Sequence, residues 1–246
     1  MSSQKLILSK THDYCAKDEP VLTVVLIHGI ASDSTTFDGI LKYLEGQKTF
    51  EKVRFVTFDL LGSGKSMKGD DLNYDYKDQL AALHNSIEAL KINTPLVLVG
   101  HSLGTFIVTR YASVYKNAVL RLILISPPVF TVEDLDNPAF AIAMRAFKDI
   151  IGAKNPAILN EKSFTNSMEK IVLSRDNYQT LAELEVPTDL IYGDEDQLIA
   201  SYNLPKLIKD NRRVTANKVH GRHGVTNDKF AKTTAILEEL LNAQNL

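Results

Sequence analysis

The segment Gly100-His101-Ser102-Leu103-Gly104 carries the plainest chemical signal in this chain. It is a G-x-S-x-G pattern that follows a short apolar run, Pro95 to Val99, and precedes a stretch with helical spacing, Leu103 to Tyr115. In that context the serine sits on a sharp strand-to-helix turn that lifts its hydroxyl above a sheet, and the flanking glycines avoid clashes with the strand and helix. A serine at a helix N-terminus also has backbone N–H groups aimed at any oxyanion formed beside it. An inert tight turn could carry the same five residues, but the placement after a buried-type strand favours a nucleophile. The chemistry implied is attack of Ser102 on a carbonyl carbon.

A serine hydroxyl needs a base, and the base needs an acid to orient it. Six histidines are available, at 12, 28, 84, 101, 220 and 223. In strand–turn–helix serine sites the chain order is serine, acid, histidine, which leaves His220 and His223. His223 is favoured because it stands further from the last strand and nearer the final helix, with the loop freedom a base requires. His220 reads as a strand-end residue and stays open as the alternative. Upstream of both, Gly193-Asp194-Glu195-Asp196-Gln197 follows the run Thr188 to Tyr192, and spacing alone does not choose among its three carboxylates. Two amides are expected to bind the oxyanion: that of Leu103, after the nucleophile, and that of Ile30 in His28-Gly29-Ile30. His28 is expected to shape that loop by hydrogen bonding.

These groups must be brought together by elements far apart in the chain. Val21 to Ile27, Val53 to Phe58, Pro95 to Val99, Val119 to Ile125 and Thr188 to Tyr192 are nearly continuous β-rich apolar runs. Strands of that kind are covered on both faces, so the sheet is predicted to be mostly parallel. Between and after them, Thr35 to Leu44, Tyr76 to Leu90, Leu103 to Tyr115, Leu204 to Asp210 and Asp228 to Asn242 have helical spacing. The alternation predicts an α/β fold, with helices flanking a central sheet. Two weak segments, Lys5 to Ser9 and His12 to Ala16, are expected to form an antiparallel edge. From Pro127 to about Val186 only helical patterning is visible, as in Pro138 to Ile151 and Ser163 to Leu173. The expected organisation is a core of residues 1–126 and 187–246 with a helical lid, 127–186, inserted in it. Phe140, Met144, Phe147, Ile150 and Ile151 recur at helical intervals in the insertion, and Phe130, Phe164, Met168 and Ile171 add to its apolar content. Most such positions serve to glue the insertion to the core, but Phe130, Phe140, Met144 and Phe147 are the candidates for lining a substrate pocket.

The 246 residues carry a formal net charge of −2, with 44% hydrophobic and 24% charged residues, and no basic patch that would suit nucleic acid. One cysteine, Cys15, cannot form an internal disulfide, which suits a reducing compartment. No run is long enough for a membrane span and the N-terminus lacks a secretory apolar core, so a cytoplasmic location is expected. Gly62-Ser63-Gly64-Lys65-Ser66 suggests a P-loop, but position 59 is Asp59 where that pattern needs glycine, and Met67 breaks a G-x-G-x-x-G signature. His220-x-x-His223 lacks a third ligand at metal-site spacing. No cofactor and no metal are expected; the partner is a small-molecule ester, with no nucleic acid and no membrane.

Taken together, His28-Gly29, Asp59-x-x-Gly62-x-Gly64, Gly100-x-Ser102-x-Gly104, Gly193-x-x-Asp196 and His223 resemble the α/β-hydrolase superfamily, in its esterase/lipase-like branch, from about residue 20 onward. The resemblance implies Asp196 as the acid, because such enzymes place it in G-x-x-D after a late sheet strand. Two positions depart from the usual pattern: Arg222 precedes His223, which keeps His220 in view, and Thr105 stands where many relatives continue the elbow with glycine. Related haloalkane dehalogenases and epoxide hydrolases carry aspartate at the nucleophile, and the dehalogenases hold halide with tryptophan. This chain has Ser102 and no tryptophan. The expectation is a serine hydrolase that cleaves a small to medium carboxylic ester through an acyl-enzyme. The alternatives are a thioesterase, a C–C bond hydrolase or an acyltransferase with the same triad, or a weakly catalytic ligand-binding signalling receptor.

Overall fold

The computed structural model describes residues 5–154, 160–224 and 230–243. Seven strands form its sheet: β1 (Ser9–Tyr14), β2 (Leu22–Ile27), β3 (Val53–Asp59), β4 (Leu96–His101), β5 (Arg121–Ile125), β6 (Thr188–Gly193) and β7 (Val214–Val219). Their order across the sheet is β1-β3-β2-β4-β5-β6-β7. Only β1 runs antiparallel, against β3; the other neighbours are parallel. The helices are α1 (Asp38–Glu45), α2 (Tyr76–Ala89), α3 (Leu103–Val114), α4 (Val132–Leu135), α5 (Pro138–Lys154), α6 (Glu161–Ser167), α7 (Asn177–Ala182), α8 (Leu204–Asp210) and α9 (Phe230–Asn242). The mostly parallel, helix-flanked sheet expected from the apolar runs is the one observed.

Alternation along the strands divides the core in two. Val24 and Leu26 of β2 face a layer with Phe37, Ile40 and Leu44 at α1 and Leu237 and Leu241 of α9. Val25 and Ile27 point the other way, into a layer with Ala82 and Leu83 of α2 and Ile107 and Tyr111 of α3. Successive strand residues point to opposite faces, so burial on both sides favours apolar residues at nearly every position, as in β2, where Thr23 is the exception, and in β4 from Leu96 to Val99. Helix α3 is buried at nearly every residue from Leu103 to Ala112, which explains why its sequence is apolar almost all round.

One reading changes at the start of the chain, and one strand joins those expected. Instead of two short N-terminal segments there is one strand, β1, with a register shift between Lys10 and His12, and Lys5 to Leu8 is not a strand. Strand β7 escaped the search for apolar runs because it is an edge strand whose Thr215, Asn217 and Lys218 are at least partly exposed. Its pairing to β6 compensates. The start of the last helix at Asp228 and the Val225 beside it fall outside the described residues, as do the side chains of Ile150 and Ile151.

Connection order matters for the site. From β2 the chain crosses to β3 on one side, whereas from β4 it crosses to β5 on the other. Their carboxyl ends therefore flank a topological switch point, where the outgoing loops part and leave a crevice. One wall of it is braced by Asp59, buried at the end of β3. Its carboxylate accepts the N–H of Ser34 at 2.9 Å and that of Lys65 at 2.8 Å, and its carbonyl accepts the Ser66 hydroxyl. Replacing Asp59 by alanine strands those amides. The Asp59→Ala protein is expected to lose roughly 2–3 kcal/mol of stability in urea unfolding; an unchanged midpoint would show the brace to be dispensable.

Candidate active site

Between β4 and α3 a single residue makes the turn. Ser102 lies at φ 50°, ψ −116°, a conformation that non-glycine residues seldom hold. Its N–H donates to the Ile125 carbonyl of the next strand at 3.0 Å, and its own carbonyl accepts the Thr105 hydroxyl at 2.6 Å. Thr105 thus supports the elbow from behind. Gly104 has a different reason: a Cβ there would fall 2.2 Å from the Ile27 carbonyl oxygen, so helix and strand meet backbone to backbone.

The structure brings His223 and Asp196 to Ser102. His223 Nε2 lies 2.8 Å from Ser102 Oγ, and His223 Nδ1 lies 2.8 Å from Asp196 Oδ2. An ionised carboxylate only accepts, so Nδ1 carries the proton and Nε2 is free to accept from the serine hydroxyl. Asp196 is fully enclosed by its neighbours, with a side chain 0% exposed, and its other oxygen accepts the Leu198 N–H at 2.9 Å. The remaining candidates pair elsewhere. His220 Nδ1 sits 3.1 Å from Asp194 Oδ1, with the His220 ring 60% exposed. The Gly221 N–H, and after it the His220 ring, hold the Asp194 carboxyl below its usual range. Among the described residues no three His, Cys, Asp or Glu side chains are grouped to hold a metal ion.

Beside the serine, the loop after β2 comes close enough that a Cβ on Gly29 would stand 3.0 Å from Ser102 Cβ. Glycine is needed there for that approach. His28 shapes the loop: Nδ1–H donates to the Gly29 carbonyl at 2.7 Å and Nε2 accepts the Leu60 N–H at 2.9 Å. The amide of Leu103, first in α3, has no intrahelical acceptor. Ile30 and Leu103 line one chamber with Ser102 and His223.

That chamber is otherwise apolar. Phe130, Met144 and Phe147 form part of its wall, together with Met168, Val172 and Leu198. Phe140 stands outside it, edge-on to Phe130 at 4.6 Å between ring centres. Its space is about 20 Å³, room for about one water. A larger groove of about 610 Å³ lies on the far side of Met144 and Met168, with Phe140, Leu135, Arg145 and Lys148 along it. Met168 and Val172 lie one helical turn apart, a spacing that could have marked both as lining residues; Met168 begins a π-helical turn, Met168–Val172, after α6. Nothing in the sequence near Ser126-Pro127-Pro128 signalled that Pro128 would line the chamber.

The family model described as alpha/beta hydrolase fold matches residues 23–160. Probable lysophospholipase BODYGUARD 5 of Arabidopsis thaliana is 30% identical over 119 residues, 48% of this chain and 27% of that protein. Lipase 1 of Psychrobacter immobilis is 26% identical over 211 residues, 74% of this chain and 63% of the lipase. The chain spans about a quarter of the length of the lysophospholipases that it matches. Among solved structures, the esterase EaEST from Exiguobacterium antarcticum superposes with a TM-score of 0.73 at 20% identity, covering 94% of each chain.

Two histidines beside the serine, His28 buried and His101 half-buried, have their proton affinity lowered by their surroundings. Burial first, and then the neighbouring His223, push His101 from 6.5 down to about 3. Burial also lowers His28. A group whose proton affinity is depressed by folding stabilises the fold above its unfolded value and loses that contribution as pH falls toward its folded value. His101 therefore favours the folded state above pH 6.5 and ceases to do so between 6.5 and about 3. The urea midpoint of the wild type is expected to drop more steeply from pH 6.5 to pH 4 than that of His101→Gln, which has no titrating ring. Parallel curves would contradict the assignment.

Proposed function

The chain belongs to the α/β-hydrolase fold family, and from that premise we propose that it is a serine hydrolase cleaving carboxylic esters with a small to medium acyl group. The observation that carries this reading is the line of contacts Ser102 Oγ–His223 Nε2–His223 Nδ1–Asp196, each polar contact 2.8 Å long. In the proposed reaction His223 Nε2 takes the hydroxyl proton as Ser102 Oγ bonds to the ester carbonyl carbon. Asp196 steadies the imidazolium so formed. The carbonyl oxygen becomes an oxyanion that accepts from the N–H groups of Leu103 and Ile30. As the intermediate collapses, His223 returns the proton to the leaving alcohol. Water, deprotonated by the same nitrogen, then frees the acid and restores Ser102.

Substrate class follows from the wall rather than from the triad. Phe130, Met144, Phe147, Met168 and Val172 offer no charge to the chamber beside Ser102, which suits an uncharged acyl chain. The names of the lipase and lysophospholipase relatives point to the same class of bond. Helices α4 to α7 act in this reading as a lid over the serine. Methionine side chains repack readily, so Met144 and Met168 can yield to a chain that about 20 Å³ does not admit.

Turnover of p-nitrophenyl esters of two to ten carbons tests the proposal directly. Wild-type protein is expected to hydrolyse the shorter members, and Ser102→Ala to lose on the order of 10⁴-fold or more in kcat with the fold retained. A serine variant as active as the wild type would refute the assignment, and preference for acyl-CoA or a diketone would move the protein to thioester or C–C bond hydrolysis. Shortening one wall residue, as in Met144→Ala, is expected to shift the optimum toward longer chains by two or more carbons. An unmoved optimum would place the acyl site elsewhere.

A further inference from the structure

His223 uses both ring nitrogens in the triad, so its placement depends on the backbone that carries it. Upstream, the loop is tied by the Gly221 N–H, which donates to Asp194 at 3.1 Å, and by the Gly221 carbonyl, which accepts the Glu195 N–H at 2.9 Å. At His223 itself the carbonyl oxygen accepts two hydrogen bonds, from Ser126 Oγ–H at 3.0 Å and from His101 Nε2–H at 3.4 Å. Neither donor belongs to the loop. Ser126 directly follows β5 and is completely buried at φ 50°, with its N–H donating to the Ile191 carbonyl of β6 at 2.8 Å. His101 is the last residue of β4 and the immediate neighbour of Ser102.

The tautomer of His101 supports a dedicated role. A carbonyl can only accept, so the His101 proton is on Nε2 and its Nδ1 is a bare lone pair. That Nδ1 is buried and has no partner, and a Cβ on Gly29 would stand 3.1 Å from it. Burying an unpaired acceptor is unfavourable. The ring is kept beneath the Gly29 loop, where its other nitrogen reaches the His223 carbonyl.

We infer that Ser126 and His101 are positioning residues which clamp the His223 carbonyl and so hold the imidazole in line between Asp196 and Ser102. The clamp bolts the backbone of the proposed base to the two strands that end beside the proposed nucleophile. A small drift of the ring would then cost rate without weakening substrate binding, because neither clamp residue lines the apolar chamber. This inference rests on the reading of Ser102 as nucleophile.

The test uses the full chain, with p-nitrophenyl butyrate turnover, the labelling rate of Ser102 by a fluorophosphonate, and titration of the labelled fraction. Ser126→Ala is expected to lower kcat about 10-fold with KM within about twofold, to slow labelling by the same factor, and to leave the labelled fraction whole. His101→Ala is expected to behave alike, and His101→Gln, which restores an N–H donor, to recover part of the rate. Ser126→Ala with wild-type kcat and labelling rate would overturn the clamp, as would a loss seen only as a smaller labelled fraction. If the wild type neither turns over ester nor labels, the nucleophile reading fails and the clamp falls with it. A wild type that labels at Ser102, beside variants that label equally fast, removes the clamp alone.

Discussion

The turn at Ser102 is the constraint on which the rest of the site depends. A residue at φ 50°, ψ −116° is unfavourable for any side chain, and it persists only because both sides of it are tied down. The Ser102 N–H is bound to Ile125, its carbonyl to the Thr105 hydroxyl, and the following helix lies directly against the Ile27 carbonyl. Each tie belongs to a different element: β5, α3 and β2. The serine is presented at the turn because two strands and the following helix agree on where the chain must bend.

Strand order then decides what gathers around it. Since β2 and β4 send their crossovers in opposite directions, their carboxyl ends open a crevice, and the loops after β2, β4, β5, β6 and β7 all come to that edge. The proposed oxyanion donor, nucleophile, carbonyl clamp, acid and base come from those five loops in that order along the sheet. Phe130, then Met144 and Phe147 of α5, and Met168 and Val172 of the turn after α6 surround the serine with apolar side chains, and polar contacts are stronger in such surroundings.

Histidine shows how environment assigns roles to one side chain. His28 is buried with both nitrogens occupied by backbone and serves the loop. His101 is held neutral by burial and points one proton at a carbonyl. His220, exposed beside Asp194, makes a surface pair of the kind that contributes little. His223 alone faces a buried carboxylate on one side and a serine hydroxyl on the other.

Residue types and their local order were sufficient for the elbow around Ser102 and for the apolar strands covered on both faces, because each is a short-range steric or periodic requirement written in consecutive residues. The choice of Asp196 over Asp194 came from resemblance to a family pattern, and the preference for His223 over His220 from chain order and loop freedom; both pairs stand within a few residues of each other and differ only in where a turn directs them. Strand β7 was illegible because an edge strand need not be apolar, and helical spacing, which tells which residues share a face but not which cavity that face meets, could not separate Phe140 on the outer groove from Met144, which lines both spaces. Ser126 carried no local signal at all. Those matters were decided by tertiary structure, since the position of one carbonyl or one ring is set by packing between segments a hundred residues apart.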